Sequence, residues 1–295
     1  MTSIIEVLKG KRYLLADGAW GTMLQDAGLK PGECPELWNL DHKEAVLRIA
    51  RAYADLGVDL LGTNSFGGNR FKLGSFGLQD RAYELNKAAA EISKDAVKPG
   101  QLVGGSIGPT GKILMMGDVT EEELYQAFTE QAIGLRDGGA DVVIIETMSA
   151  LDESLAAIRA VKENTELEII TTFTFEKTAT GDFRTMMGTS PVELVGEAIK
   201  AGASVVGTKC GNGLENMIPI VGEIHDSYPD IPILVNANAG IPQLKEGRTV
   251  FPESPDEMAG FVPRLLQAGA SIVGGCCGTT PDHILKIKEV VHKAQ

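Results

Sequence analysis

Eight short runs rich in Val, Ile and Leu, each followed by a longer stretch of helical period, constrain this chain more than any other feature. They are YLLADGA from Tyr13, DLLGTNSF from Asp59, LVGGSIGP from Leu102, DVVIIETM from Asp141, LEIITTFTF from Leu167, SVVGTKCGNG from Ser204, PILVNANAG from Pro232 and SIVGGCCGT from Ser271. Strands apolar enough to be covered on both faces, alternating with helices, belong to a parallel sheet, and eight such units fit a closed barrel better than an open one. Several strands are introduced by the same device, a helix end followed by Gly: LGVD from Leu56, GGAD from Gly138, and AGAS from Ala201 and again from Ala268. The expected fold class is α/β, a single (βα)8 TIM barrel, and no Pro/Ser-rich linker or low-complexity run divides residues 1–295, which read as one domain.

Composition narrows the partners. A formal net charge of -13 argues against nucleic acid and anionic membrane surfaces, both of which need a basic footprint. No run is apolar enough for a signal peptide or a spanning helix, so a cytoplasmic protein is expected. In a reducing compartment, clustered cysteines bind metal or react more often than they form structural disulfides.

The active site of a (βα)8 barrel lies at the C-terminal ends of its strands. Those ends carry Asp17, Thr63, Asn64, Ser106, Glu146, Cys210, Asn236, Asn238, Cys276 and Cys277. Three of the four cysteines therefore share one rim. Successive side chains of a regular strand point to opposite faces, so Cys276 and Cys277 reach one place only if the glycines around them, Gly274, Gly275 and Gly278, distort the backbone. Three thiolates suit Zn²⁺, and with Cys34 in an early Pro-flanked loop a fourth position stays open for substrate. A zinc ion with three thiolates carries a net negative charge, which keeps an added substrate thiolate electron-rich and favours S-alkylation over water activation. Three other readings stay open: small core cysteines, a vicinal disulfide or redox pair, and a closed structural zinc completed by Cys34 or a histidine.

The blocks DGAWGTML from Asp17, GTNSF from Gly62, SIGPTG from Ser106, IET from Ile145, KCGNG from Lys209, NAG from Asn238 and GGCCGTTPDHI from Gly274 resemble the homocysteine S-methyltransferases over nearly the whole chain. The last block with the upstream cysteine is highly specific; the others are individually weak. The resemblance implies a thiol S-methyltransferase of methionine biosynthesis, with zinc held by Cys210, Cys276 and Cys277 and homocysteine as acceptor. It further implies that Asp17 and Glu146 hold the amino group of the acceptor, which agrees with the simple attraction of two carboxylates for an ammonium. The segment from Phe66 through Gly67 to Gly68 is expected to offer backbone N–H groups to its carboxylate. Asn64 and Ser106 are expected to line the same subsite. Asn238 resembles the family's asparagine near the metal, filling the open position before substrate arrives. For His283, at the start of the last helix, packing or support of the site is favoured over ligation.

Three departures from the family pattern bear on the acceptor: Gly62 where an acidic residue is frequent before TN, Lys209 where asparagine is common, and Ala237 where proline is usual. Homocysteine is the favoured acceptor and a related thiol the alternative. The sequence shows no cobalamin-binding or folate-binding domain, so the methyl group is expected in trans, preferably from a separate methyl-corrinoid protein carrying cobalamin. A small betaine or sulfonium donor is the alternative, with Trp20 as one wall of an aromatic cage. The segment 66–79 could then close as a lid, or present Arg70 and Lys72 to an acidic partner. A non-enzymatic reading, a zinc-stabilised binding subunit, rests chiefly on Gly62.

Overall fold

The eight apolar runs form eight parallel strands in the computed structural model, which describes residues 3–245 and 248–295. They are β1 Leu14–Leu15, β2 Leu60–Gly62, β3 Leu102–Ile107, β4 Val142–Met148, β5 Glu168–Phe173, β6 Val205–Lys209, β7 Ile233–Ala237 and β8 Ile272–Gly275. The ladder runs β1-β8-β7-β6-β5-β4-β3-β2, and a parallel bridge from Ala16 to Leu60 closes it into a barrel. Between strands lie amphipathic helices such as Lys43–Ala54, Ala82–Ala96, Glu121–Asp137 and Leu151–Asn164, whose apolar faces pack on the outside of the sheet. Gly57, Gly139, Gly202 and Gly269, the glycines expected at the helix ends, all have positive φ, between 79° and 125°.

Inside the barrel, side chains of one parity fill the axis. Leu14, Leu60, Leu102, Val142, Ile170, Val205, Leu234 and Ile272 form a separate apolar cluster, closed by Ile4 of the helix Ile4–Gly10. Two residues further on, the same faces carry Ala16, Gly62, Gly104, Ile144, Thr172, Gly207, Asn236 and Gly274, and then Ser106, Glu146 and Lys209. The interior thus changes from aliphatic to polar toward the C-terminal end. No helix among the described residues is long and apolar enough to cross a membrane.

Several strands are shorter than the sequence suggests. Asp17, Asn64, Cys210, Asn238, Cys276 and Cys277 all lie just past a strand end, where the chain bends over the rim. Cys210 has φ +63, a left-handed conformation that no strand accommodates.

Candidate metal and thiol site

The three rim thiols converge. Cys210 and Cys277 Sγ lie 3.9 Å apart, as do Cys276 and Cys277, and all three sulfurs fall within 4.8 Å of one another. Backbone bonds from the end of β7 fix them: Asn236 O accepts from Cys210 N at 3.0 Å, Ala237 O from Cys276 N at 2.6 Å, and Ala239 N donates to Cys277 O at 3.0 Å. The adjacent pair manages convergence because β8 has ended and Thr279 N closes a turn on Cys276 O. The expected role of the glycines is corrected in part. Gly278 has φ +80, but Gly274 and Gly275 do not take positive φ. They are glycine for space: a Cβ on Gly274 would meet Asp17 O at 2.6 Å, and one on Gly275 would meet Thr279 Oγ1 at 2.3 Å.

This donor set fits zinc. Tetrahedral thiolate ligands at about 2.3 Å place sulfurs about 3.8 Å apart, close to the observed spacing and far from a disulfide. All four cysteines are free. Hydrogen bonds from its two neighbours hold the Cys210 thiol well below the usual range; Cys276 is pushed up by its bonds to Cys210 and Cys277 and then by burial, and Cys277 by its bond to Cys210 and by burial, against the lowering effect of Cys276. A divalent cation would relieve that conflict. Cys34 does not join: it is buried, with Sγ 3.4 Å from Glu36 Oε2, and burial and that carboxylate push it up to about 11. His283 caps its helix, with Nδ1 2.9 Å from Thr280 Oγ1 and Nε2 3.0 Å from Glu253 O. Neither Cys34 nor His283 completes the trio, so a fourth coordination position would be open.

The thiols line one wall of a cavity of about 320 Å³ at the C-terminal mouth. Its other walls carry Asp17, Trp20, Gly62, Asn64, Phe66, Ser106, Glu146 and Lys209. Asp17 Oδ2 accepts from Trp20 Nε1 and from Gly62 N, both at 2.8 Å. Burial pushes this carboxyl up to about 6, against the lowering effect of Lys209 and those two donors. Ser106 Oγ donates to Glu146 Oε1 at 2.6 Å, and Glu146 Oε2 pairs with Lys209 Nζ. Burial opposes the charge on Lys209, but Glu146, Cys276 and Asp17 outweigh it and hold the ammonium above the ordinary lysine range.

Several residues named from the sequence therefore sit at the cavity with side chains already engaged. Ser106 orients Glu146. The amide nitrogen of Asn64 is bound to Pro35 O at 2.7 Å and Asn39 Oδ1 at 3.0 Å. Gly67 N, expected to face a substrate carboxylate, donates instead to Glu36 Oε1 at 2.7 Å, and Gly68 N to Ser65 O at 2.9 Å. Phe66 keeps its ring at the mouth, about 41% exposed. Asn238 is buried off the cavity wall, and its Oδ1 has no hydrogen-bond partner. The segment 66–79 carries a helix Arg70–Gly74, with Leu73 fully buried and Arg70 in two 3.1 Å bonds to Glu130.

Gly62 has a local explanation, since a Cβ there would lie 3.1 Å from Asp17 Oδ2 and 3.2 Å from Trp20 Nε1. The Asp17–Trp20 pair fills the space an acidic side chain would need. Sequence reasoning missed Glu36, a buried carboxyl on the cavity wall that burial pushes up, and Thr147, which follows Glu146 at φ +62. Cys210 and Thr147 are the only non-glycine residues of positive φ among those described, and both line the cavity.

The methionine synthases of Mycobacterium leprae and Mycobacterium tuberculosis are 32% and 31% identical over 98% of this chain, which spans 25% of the length of each. Among solved structures, the homocysteine methyltransferase MmuM of Escherichia coli in its metallated form superposes with a TM-score of 0.80 at 22% identity, covering 96% of this chain and 98% of that one. Its apo form gives 0.75 at 21% identity, covering 96% and 97%. The family pattern described as homocysteine S-methyltransferase matches residues 14–291, and the chain belongs to that family.

Proposed function

We propose that the barrel is a zinc-dependent thiol S-methyltransferase that receives its methyl group from a methyl-corrinoid carrier lying outside the described barrel. The observation that carries this reading is the convergence of three thiols, with no fourth sulfur joining them among the described residues, on the wall of a cavity that also holds two oriented carboxylates. Cys210, Cys276 and Cys277 would hold the zinc, which when bound supplies the positive charge that keeps a substrate sulfur deprotonated at neutral pH. The chain's own groups do the rest. Trp20 and Gly62 fix the Asp17 carboxylate, Ser106 fixes Glu146, and Phe66 borders the entrance against water. The unpartnered Oδ1 of Asn238 is the candidate for the open position before substrate enters. Homocysteine is the reference acceptor, as the description of the family indicates.

Two observations favour a large donor over a small betaine or sulfonium. The aromatic side chains on the cavity wall are Trp20 and Phe66, too few to cage a quaternary ammonium. The loops following β3, β5 and β7 expose Met115, Met116, Met186, Ile241 and Leu244 at the end of the barrel that holds the thiols, apolar side chains available to a docking protein.

The test has two parts. The purified chain should bind about one Zn²⁺ with Zn–S distances near 2.3 Å by X-ray absorption, and acceptor binding should add a sulfur and release a proton. Full occupancy in a variant lacking Cys210, Cys276 and Cys277 would sink the metal assignment. Methyl transfer to thiols is then compared from methylcobalamin, a methyl-corrinoid protein, glycine betaine and S-methylmethionine. Turnover with a small donor and none with methyl-cobalt would overturn the donor, and zinc binding without any transfer would favour a binding subunit.

A further inference from the structure

Two buried carboxylates beside a thiol trio make a subsite for one cation, and in this chain that cation is already present. Glu146 is inward-facing on β4, and Lys209, the last residue of β6, shares the parity of inward-facing Val205. Register with Asn236 on β7 fixes the Lys209 backbone, and its side chain is only 15% exposed. The ammonium pairs with Glu146 Oε2 while Ser106 holds the other oxygen, and Asp17 spends one oxygen on Trp20 and Gly62. An acceptor bringing its own ammonium to this corner would have to displace Lys209 from Glu146, or share Asp17 with a like charge alongside. Either is unfavourable in a buried site.

We propose that Lys209 determines specificity by acting as the built-in cation of the acceptor subsite, so that the site prefers a small aliphatic thiol lacking an ammonium group over an α-amino thiol. This rests on the thiol S-methyltransferase reading above and names its acceptor class. Size is set by the cavity of about 320 Å³, which accommodates a chain of homocysteine's length. Glu146 then serves to hold Lys209 rather than to hold substrate.

The experiment compares homocysteine with 4-mercaptobutanoate, which has the same chain and carboxylate without the amine, on the zinc-replete protein. The wild type should show a kcat/KM at least about tenfold higher for 4-mercaptobutanoate. Lys209→Asn vacates the corner, so it should invert the preference through a lower KM for homocysteine, whereas Lys209→Arg keeps the charge and should keep the preference. Calorimetric binding of the matching thioethers, methionine and 4-(methylthio)butanoate, reads the same selectivity without turnover. A wild type that prefers homocysteine and methionine overturns the proposal whatever the variants do, as does a Lys209→Asn protein with unchanged preference. Absence of transfer to either thiol would instead count against the methyltransferase reading, and thioether binding would still decide the role of Lys209.

Discussion

Asp17 shows how a single buried carboxyl can couple fold and site. Its pKa is raised to about 6 because burial outweighs Lys209 and the hydrogen bonds from Trp20 and Gly62. The folded state therefore binds this proton more tightly than the unfolded chain does. Its contribution to stability is fully present below about pH 4, the unfolded value, and is lost as pH rises through about 6. Asp17→Asn keeps an acceptor for both donors and removes the titration. We predict that its stability relative to wild type increases between pH 4 and 7 by roughly 3 kcal/mol and then levels off, measured by urea unfolding at a series of pH values. A difference independent of pH would show that the carboxyl is not perturbed. The variant should also alter selectivity between the two thiols, since Asp17 lines the cavity beside Glu146 without being paired to Lys209.

At the scale of elements, the site is made where strands stop. Gly278 combines φ +80 with the closest approach in its turn, a Cβ there lying 2.2 Å from Phe251 Cγ. Gly278→Ala should therefore shift the turn that carries both thiols. We expect zinc affinity to fall at least about tenfold and stability by about 1–3 kcal/mol, read by chelator competition and thermal melting. Unchanged affinity would mean that the turn does not place the sulfurs. The strands, their order and the three cysteines were legible in the sequence because period, parity and a rare residue type are local signals. Engagement was not. Ser106, Asn64 and Gly67 read as free polar groups at a rim, but their partners Glu146, Asn39 and Glu36 come from another strand and from short helices after the first strand, and only the folded barrel brings them together. Lys209 was visible as a departure from the family, and its pairing with Glu146 across 63 residues was not. The positive φ of Cys210 and Thr147 had no signal at all, since neither is the glycine or asparagine that such a backbone favours.

The molecule as a whole separates stability from chemistry along the barrel axis. The aliphatic layer from Leu14 to Ile272 and the apolar shell around the sheet contain none of the three rim thiols and neither Asp17 nor Glu146, so stripping the metal should leave the barrel folded. Zinc removal is predicted to lower the melting temperature only through the lost binding free energy, with circular dichroism at 25 °C unchanged; unfolding on chelation would make the metal structural. The same separation bears on the proposed donor. A methyl group carried on a corrinoid must be presented at the mouth, and the apolar side chains there belong to loops that the core does not need. Met115, Met116 and Leu244 are 77%, 73% and 79% exposed, so polar replacements should not disturb packing. A Met116→Ser, Leu244→Ser double variant is predicted to lose at least about tenfold in transfer from a methyl-corrinoid protein, and far less from free methylcobalamin, which needs no docking surface. Equal losses with both donors would place these residues at the reaction itself, and no loss with either would mean that the carrier docks elsewhere on the rim.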